Sequence, residues 1–277
     1  MAEKAYNLHD DMVKMVQYPA EIQESVEQLA GLWEGFCELP IEVKNRFAAT
    51  NAQLTQGYEI KNGKGVRADI KENFDVSSLG IEALAAMSEQ VGNTTARQFI
   101  HAIPNLQQQM IPMIEAFGGQ VENDYGVEGF AELARRSAQN AYCRFLHYLP
   151  GEEGDVIAQP HVDHSGFTFH LYETTAGCNR LTSDGEWQSL PVAHGQAVAF
   201  PGMQLQLVSS GKLKAMAHEV VANTDSARIG RYAIVCFVSL ADTPVYDRET
   251  YGRLQEKEPG FNYTEPPHKF RQLFRQP

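Results

Sequence analysis

The chain has 277 residues, with 43% apolar and 21% charged side chains and a net charge of −12 from 23 basic and 35 acidic groups. That length suits one or two domains of about 150 residues each and a core that needs no staples. The composition excludes a mostly disordered chain, and the acidic balance disfavours phosphate backbones and anionic membranes as partners.

The opening segment, Met1–Gln17, has no apolar stretch of the kind that signals export. From Glu21 to Leu39, the residues Ile22, Val26, Leu29, Trp33 and Phe36 recur at steps of three and four, one face of a helix that Pro40 ends. A second, short helix is predicted from Pro40 to just before Ala49. Residues 51–65 hold three glycines and two asparagines and read mostly as loop. Helices are predicted over Leu79–Gln90, Thr95–Phe117 and Glu128–Asn140. Pro104 and Pro112 either kink the second of these or fall in its first turns.

The pattern changes near Ala141. Segments 142–149, 167–174, 197–200, 205–208 and 231–240 are short, rich in aromatic and β-branched residues, and separated by Gly, Pro, Asn and Asp, which is how strands read. After Leu240, prolines 244, 259, 266 and 267 mark loop and short helix. The longest apolar run, Tyr232–Val238, is far below a transmembrane span. Cys37, Cys143, Cys178 and Cys236 form no CxxC pair, so free thiols in a reducing, cytoplasmic compartment are expected. The expected fold class is α+β with a mainly β core: a helical part over 1–140, a β core over 141–241 and a tail or lid over 242–277, all in one domain.

The chemistry concentrates in Gln159-Pro160-His161-Val162-Asp163-His164-Ser165-Gly166. On an extended strand, residues i and i+2 share a side, so His161 and Asp163 present an imidazole and a carboxylate together. A third ligand must come from elsewhere, and His218, opening the strand-like His218-Glu219-Val220-Val221, is the candidate. Two histidines and a carboxylate are the triad of non-haem Fe(II) oxygenases, with positions left open for cosubstrate and O2. A plain hydrogen-bonded His161–Asp163 pair is the simpler alternative. Arg231 follows His218 by 13 residues and precedes a buried-looking strand. It suits a bidentate grip on a dicarboxylate, with Arg228 as its competitor.

Taken in order, several segments resemble the isopenicillin N synthase-like family of Fe(II)- and 2-oxoglutarate-dependent dioxygenases. Phe36-Cys37-Glu38-Leu39-Pro40 with Val43-Lys44 resembles its F-x-x-L-P-x-x-x-K junction. Gly57-Tyr58 and Asp69-Ile70-Lys71-Glu72-Asn73-Phe74 resemble its GY and D-x-K-E-x-F segments. Arg144 to Tyr148 resembles its R-x-x-x-Y-P strand, with the proline one place late at Pro150. His161-Val162-Asp163 with Thr168 resembles H-x-D-x-G-x-x-T, with the glycine one place late at Gly166. Gly185-Glu186-Trp187 matches its G-x-W turn, Gly202 to Leu207 resembles its G-D-x-L-Q turn, and His218 with Arg231 completes the series.

The resemblance implies a double-stranded β-helix, a jelly-roll or cupin-like barrel with helices packed outside. It implies Fe(II) held by His161, Asp163 and His218, with 2-oxoglutarate and O2 as cosubstrates and Arg231 and Tyr148 on the distal carboxylate. The implied reaction is hydroxylation, desaturation or cyclisation of a small-molecule metabolite with release of succinate and CO2. The substrate expected is small, polar or amino-acid-like, with no nucleic acid or membrane partner. Tyr58, Arg67, Phe74, His147, His164, Phe167 and His170 are the candidates to line its pocket. The aromatic-rich tail, 246–274, is either a lid or a helix on the outer sheet.

Four departures stand out: Ala233 where the family has a carboxylate-binding serine, Leu146 where many relatives have asparagine, Met203 for the turn aspartate, and no opening strand or G-F-F segment. The missing hydroxyl costs one hydrogen bond, about 0.5–1.5 kcal/mol. It keeps open an oxidase of the isopenicillin N synthase type that uses no 2-oxoglutarate. A non-catalytic cupin-like binding protein and, more weakly, a zinc hydrolase are the other readings.

Overall fold

The computed structural model describes residues 12–51, 56–62, 70–182 and 185–243. The elements run β1 (Lys14–Gln17), α1 (Ala20–Cys37), α2 (Ile41–Lys44), β2 (Gly57–Asn62), β3 (Ile70–Ser77), α3 (Ile81–Val91), α4 (Thr94–Tyr125), α5 (Phe130–Ser137), β4 (Ala141–Tyr148), β5 (Val156–His161), β6 (Phe167–Glu173), β7 (Cys178–Leu181), β8 (Trp187–Ser189), β9 (Gln196–Pro201), α6 (Met203–Val208), β10 (His218–Val221), α7 (Thr224–Ile229) and β11 (Arg231–Val238).

The strands form two antiparallel sheets. The larger has the order β1-β9-β6-β11-β4-β3-β2 and the smaller β5-β10-β7-β8. Strands β1, β2 and β3 come from the N-terminal part yet extend the sheet of the C-terminal part at both edges. A short strand therefore does precede the helices, at the edge beside β9, contrary to the expectation of none. Residues 57–62, read as loop, pair along their length with β3, because Tyr58 is buried there and anchors the ladder. Residues 205–208, read as a strand, lie in the helix α6, where Leu205 and Gln206 are both buried rather than alternating.

Helices cover one face of the larger sheet. The predicted stripe on α1 is buried throughout. Trp33 lies 6.2 Å from Phe145 of β4, and its indole N–H donates to the Leu146 carbonyl at 3.0 Å. Phe99 of α4 meets Phe145 edge-on at 4.9 Å and Phe74 of β3 at 5.3 Å. α4 runs for 32 residues with Pro104 and Pro112 inside it. It starts where the Asn93 side chain accepts from the Ala96 N–H at 3.0 Å and ends at Gly126 in the left-handed region. Each proline removes one backbone donor, but the buried row Phe99, Ile103, Met110, Ile114 and Phe117 holds the helix down through both. The opposite face of the larger sheet and the smaller sheet together bound a cavity of about 380 Å³.

Candidate metal centre

The antiparallel pairing of β10 with β5 sets His218 directly opposite His161, so two histidines 57 positions apart become cross-strand neighbours. Their rings lie 4.3 Å apart between centroids. His161 closes β5, and Asp163 follows in the turn beyond it. Asp163 Oδ1 lies 3.8 Å from His161 Nε2 and 3.9 Å from His218 Nε2. The other ring nitrogens are engaged: His161 Nδ1 donates to the Gln159 carbonyl at 2.6 Å and His218 Nδ1 to the Met216 carbonyl at 3.2 Å. These bonds fix the tautomer and aim both Nε2 lone pairs at one point with the carboxylate. Thr168 Oγ1 donates to Asp163 Oδ2 at 2.5 Å, which leaves Oδ1 facing the histidines. Burial first, then the neighbouring His218, lowers the His161 pKa against the pull of Asp163, so its ring is neutral at pH 7. Two imidazole nitrogens and one carboxylate oxygen within 4.8 Å of one another fit a divalent transition metal.

The turn carrying Asp163 is clamped from below. The N–H groups of Gly202 and Met203, at the start of α6, donate to the carbonyls of Gly166 and Asp163, both at 2.8 Å. A Cβ on Gly202 would stand 2.2 Å from the Ser165 carbonyl oxygen, so this approach requires glycine. Here the segment that resembles the G-D-x-L-Q turn acts through its backbone.

Arg231 is almost fully buried and lines the same cavity. Its Nη2 donates to Glu173 Oε2 at 2.5 Å and its Nε to the Thr175 carbonyl at 3.0 Å. Tyr148 lies opposite Arg231 on β4, with the guanidinium 5.5 Å from its ring centre, and Lys71 Nζ stands 5.4 Å from the same ring. The competitor Arg228 is exposed and pairs with Asp225 on its own helix.

Glu173 was not foreseen. Strict alternation along β6 aims Thr168, His170 and Tyr172 at the cavity. Instead the register to β11 shifts between Ile234 and Val235, leaving Leu171 as an extra residue. Leu171 and Tyr172 both join the helix-side core, and Glu173 turns inward beside His170. Glu173 also accepts from the Val192 N–H at 2.9 Å, so the carboxylate is held at both oxygens.

Of the pocket candidates, His164 and His170 line the cavity. Tyr58, Phe74, His147 and Phe167 do not, because they project from the helix-facing side of the sheet. Phe74 packs on Phe36 and Phe99, and Phe167 on Phe117. Tyr58 and His147 converge on Glu72: the Tyr58 hydroxyl lies 2.7 Å from Oε2 and His147 Nδ1 lies 2.8 Å from Oε1. Lys44 Nζ sits 2.7 Å from the same carboxylate, and Tyr232 stacks on His147 at 4.1 Å. Cys37, Glu72 and His147 are close enough together to hold a metal, but the Lys44 ammonium already supplies the positive charge there. Arg67 and the tail 246–274 lie outside the described residues. Unforeseen cavity groups are Lys71 and the stacked pair Tyr142 and Phe237, at 4.9 Å. The signal for them was parity: they alternate with residues of the helix-side core.

Residues 140–240 match the 2OG-Fe(II) oxygenase superfamily. The chain is 24% identical over 212 residues to gibberellin 2-beta-dioxygenase 2 of Arabidopsis thaliana, covering 70% of this chain and 59% of that protein. It is 29% identical over 146 residues to 1-aminocyclopropane-1-carboxylate oxidase 2 of Malus domestica, covering 47% and 44%. The chain thus spans about half the length of the curated relatives it matches. Among solved structures, a full-length Neurospora crassa protein in complex with alpha-KG superposes with a TM-score of 0.66 at 18% identity, covering 82% of this chain and 75% of the other. The rice dioxygenase for auxin oxidation gives 0.65 at 18%, covering 93% and 89%. These two likenesses concern the fold.

Proposed function

We propose that this chain, whose residues 140–240 belong to the 2OG-Fe(II) oxygenase superfamily, is an Fe(II)- and 2-oxoglutarate-dependent oxygenase of small organic molecules. The observation that carries the reading is the convergence of His161 Nε2, His218 Nε2 and Asp163 Oδ1 in a cavity that also holds a buried arginine. Fe(II) bound there with 2-oxoglutarate and O2 supplies oxidising chemistry toward a substrate C–H bond, releasing succinate and CO2. The protein holds and orients. His161, Asp163 and His218 are the metal ligands, Thr168 fixes the carboxylate, and Arg231 with Tyr148 receives the distal carboxylate of the keto acid. The enclosing sheets limit the water that reaches the reacting centre.

The two sheets are read as the halves of a double-stranded β-helix in one domain. The substrate is a small molecule with an anionic group and a flat apolar part. Lys71 and His164 line the cavity beside the metal site, and Tyr142 and Phe237 give it an aromatic wall. Four buried free thiols, with Cys143 opposite Cys236 on neighbouring strands, suit a reducing compartment such as the cytoplasm. No helix among the described residues is long and apolar enough to cross a membrane.

One observation favours a second reading. Glu173 already takes Nη2 of Arg231, and Ala233 offers no hydroxyl, which leaves fewer donors for 2-oxoglutarate and keeps open an oxidase that dispenses with it. Anaerobic titration of the metal-free protein with Fe(II) and then 2-oxoglutarate separates the two. The proposal expects the visible charge-transfer band of a chelated keto acid, weakened in Arg231→Ala and absent in His218→Ala. Fe(II) binding without that band favours the oxidase.

A further inference from the structure

We propose that Arg144 is a substrate-binding residue that takes the carboxylate of a flat aromatic acid, with Tyr142 and Phe237 holding the ring. The assignment rests on the small-molecule oxygenase reading above and names the group that receives the substrate's charge.

The cavity wall is cationic in an acidic chain. Lys61, Lys71, Arg144 and Arg231 line it, and Asp163 is the one carboxylate among the described lining residues, although the chain carries a net charge of −12. A cavity of that sign concentrates anions. Arg231 and Arg144 occupy different parts of its floor. Arg231 lies opposite Tyr148 on β4, and Arg144 is four residues back along that strand, which sets their Cα atoms about 14 Å apart. The two side chains also lean apart: Arg231 bonds to Glu173 and Thr175 beyond β6, and Arg144 to Asp75 on β3. An anion held by Arg144 is therefore not the one held by Arg231.

Arg144 is braced and yet open. Its Nε and Nη2 donate to the two oxygens of Asp75, both at 2.7 Å, a bidentate grip that fixes the plane of the guanidinium. Nη1 makes no hydrogen bond among the described residues. The side chain is 30% exposed, and Arg144 lines the cavity while Asp75 does not. A flat apolar surface adjoins it. Arg144 Cζ lies 5.4 Å from the centre of the Phe237 ring, and Tyr142 stacks on Phe237 with 28° between the planes. Phe237 is the cross-strand neighbour of Thr168, whose hydroxyl holds Asp163. A ring laid on this wall with its carboxylate on Nη1 lies beside the proposed metal ligands, where a C–H bond has to be presented.

The test is calorimetric titration of the Zn(II)-loaded protein, saturated with 2-oxoglutarate, with trans-cinnamate and with cinnamamide, its neutral counterpart. Wild type is expected to bind cinnamate about tenfold more tightly than the amide. Arg144→Gln combined with Asp75→Asn removes both charges and leaves no carboxylate without its partner. This double variant is expected to weaken cinnamate about tenfold and to leave cinnamamide and 2-oxoglutarate within about twofold of wild type. Arg144→Lys, which keeps a cation, falls between. Unchanged cinnamate affinity in the double variant overturns the assignment, as does an equal loss of all three ligands, which marks a structural pair. Loss of 2-oxoglutarate alone also overturns it and makes Arg144 part of the cosubstrate site. Wild type that binds 2-oxoglutarate but not cinnamate overturns the aromatic-acid assignment and leaves the oxygenase reading standing. Wild type that holds Zn(II) but binds no 2-oxoglutarate overturns the cosubstrate reading, and cinnamate titrated without 2-oxoglutarate then decides for or against Arg144.

Discussion

Asp163 serves two partners at once: Oδ1 faces the histidines while Oδ2 takes the Thr168 hydroxyl proton. That division depends on Thr168, so Thr168→Val is expected to weaken metal binding about 10–100-fold with the fold intact, read by competition with a chelating dye. Glu72 is the other residue whose surroundings decide its state. Burial raises its pKa, but hydrogen bonds from His147, Lys44 and Tyr58 outweigh this and hold it at about 2. A carboxylate with a depressed folded pKa contributes stability that is full above its ordinary range and is lost as pH falls through the folded value. Urea unfolding of wild type is therefore expected to show stability declining as pH drops from about 4.5 toward about 2. In Glu72→Gln that part of the decline is absent. At pH 7 the same variant loses about 3–5 kcal/mol, because the buried Lys44 ammonium is left without its counter-charge.

Among the elements, α7 and the start of β11 carry the most consequence for the site. A reciprocal cap between Asn223 and Ser226 starts α7, and Gly230, at φ 83°, turns the chain from it into β11. A Cβ on Gly230 would meet the Tyr148 carbonyl oxygen at 2.7 Å and His147 Nε2 at 2.9 Å. Gly230→Ala is expected to cost about 1–3 kcal/mol in thermal or urea unfolding. Because the clash displaces Arg231, the variant is also expected to weaken the proposed 2-oxoglutarate binding more than metal binding, which paired titrations read directly. The stripe of α1 and the strands over 141–148 and 231–238 were legible because burial on one face leaves a period in the sequence. The strand β2 was not, because its glycine-rich neighbourhood hides a ladder that depends on β3 for partners.

At the scale of the whole molecule, the helical layer sets the shape of the cavity from behind. Trp33, Phe36, Phe74, Phe99 and Phe145 form one aromatic cluster between α1, α4 and the sheet, and the cavity opens on the sheet's other face. Phe99→Ala is expected to cost about 3–5 kcal/mol in urea unfolding. The proposed metal ligands lie across the sheet from that cluster, so the folded fraction of the variant is expected still to bind metal.

Spacing and residue chemistry marked His161, Asp163 and His218 as candidates with Arg231 near them, and the family resemblance gave them roles, since ligand type and strand parity are local properties. They also marked the helical first half and the β-rich second half. Only the tertiary structure decided that Tyr58, Phe74, His147 and Phe167 face the helices, that Glu173 grips Arg231, and that His170 lines the cavity beside them. The physical reason is that a strand's two faces are distinguished by what packs on each. Long-range pairing, including the single extra residue at Leu171, fixes which face a given side chain takes.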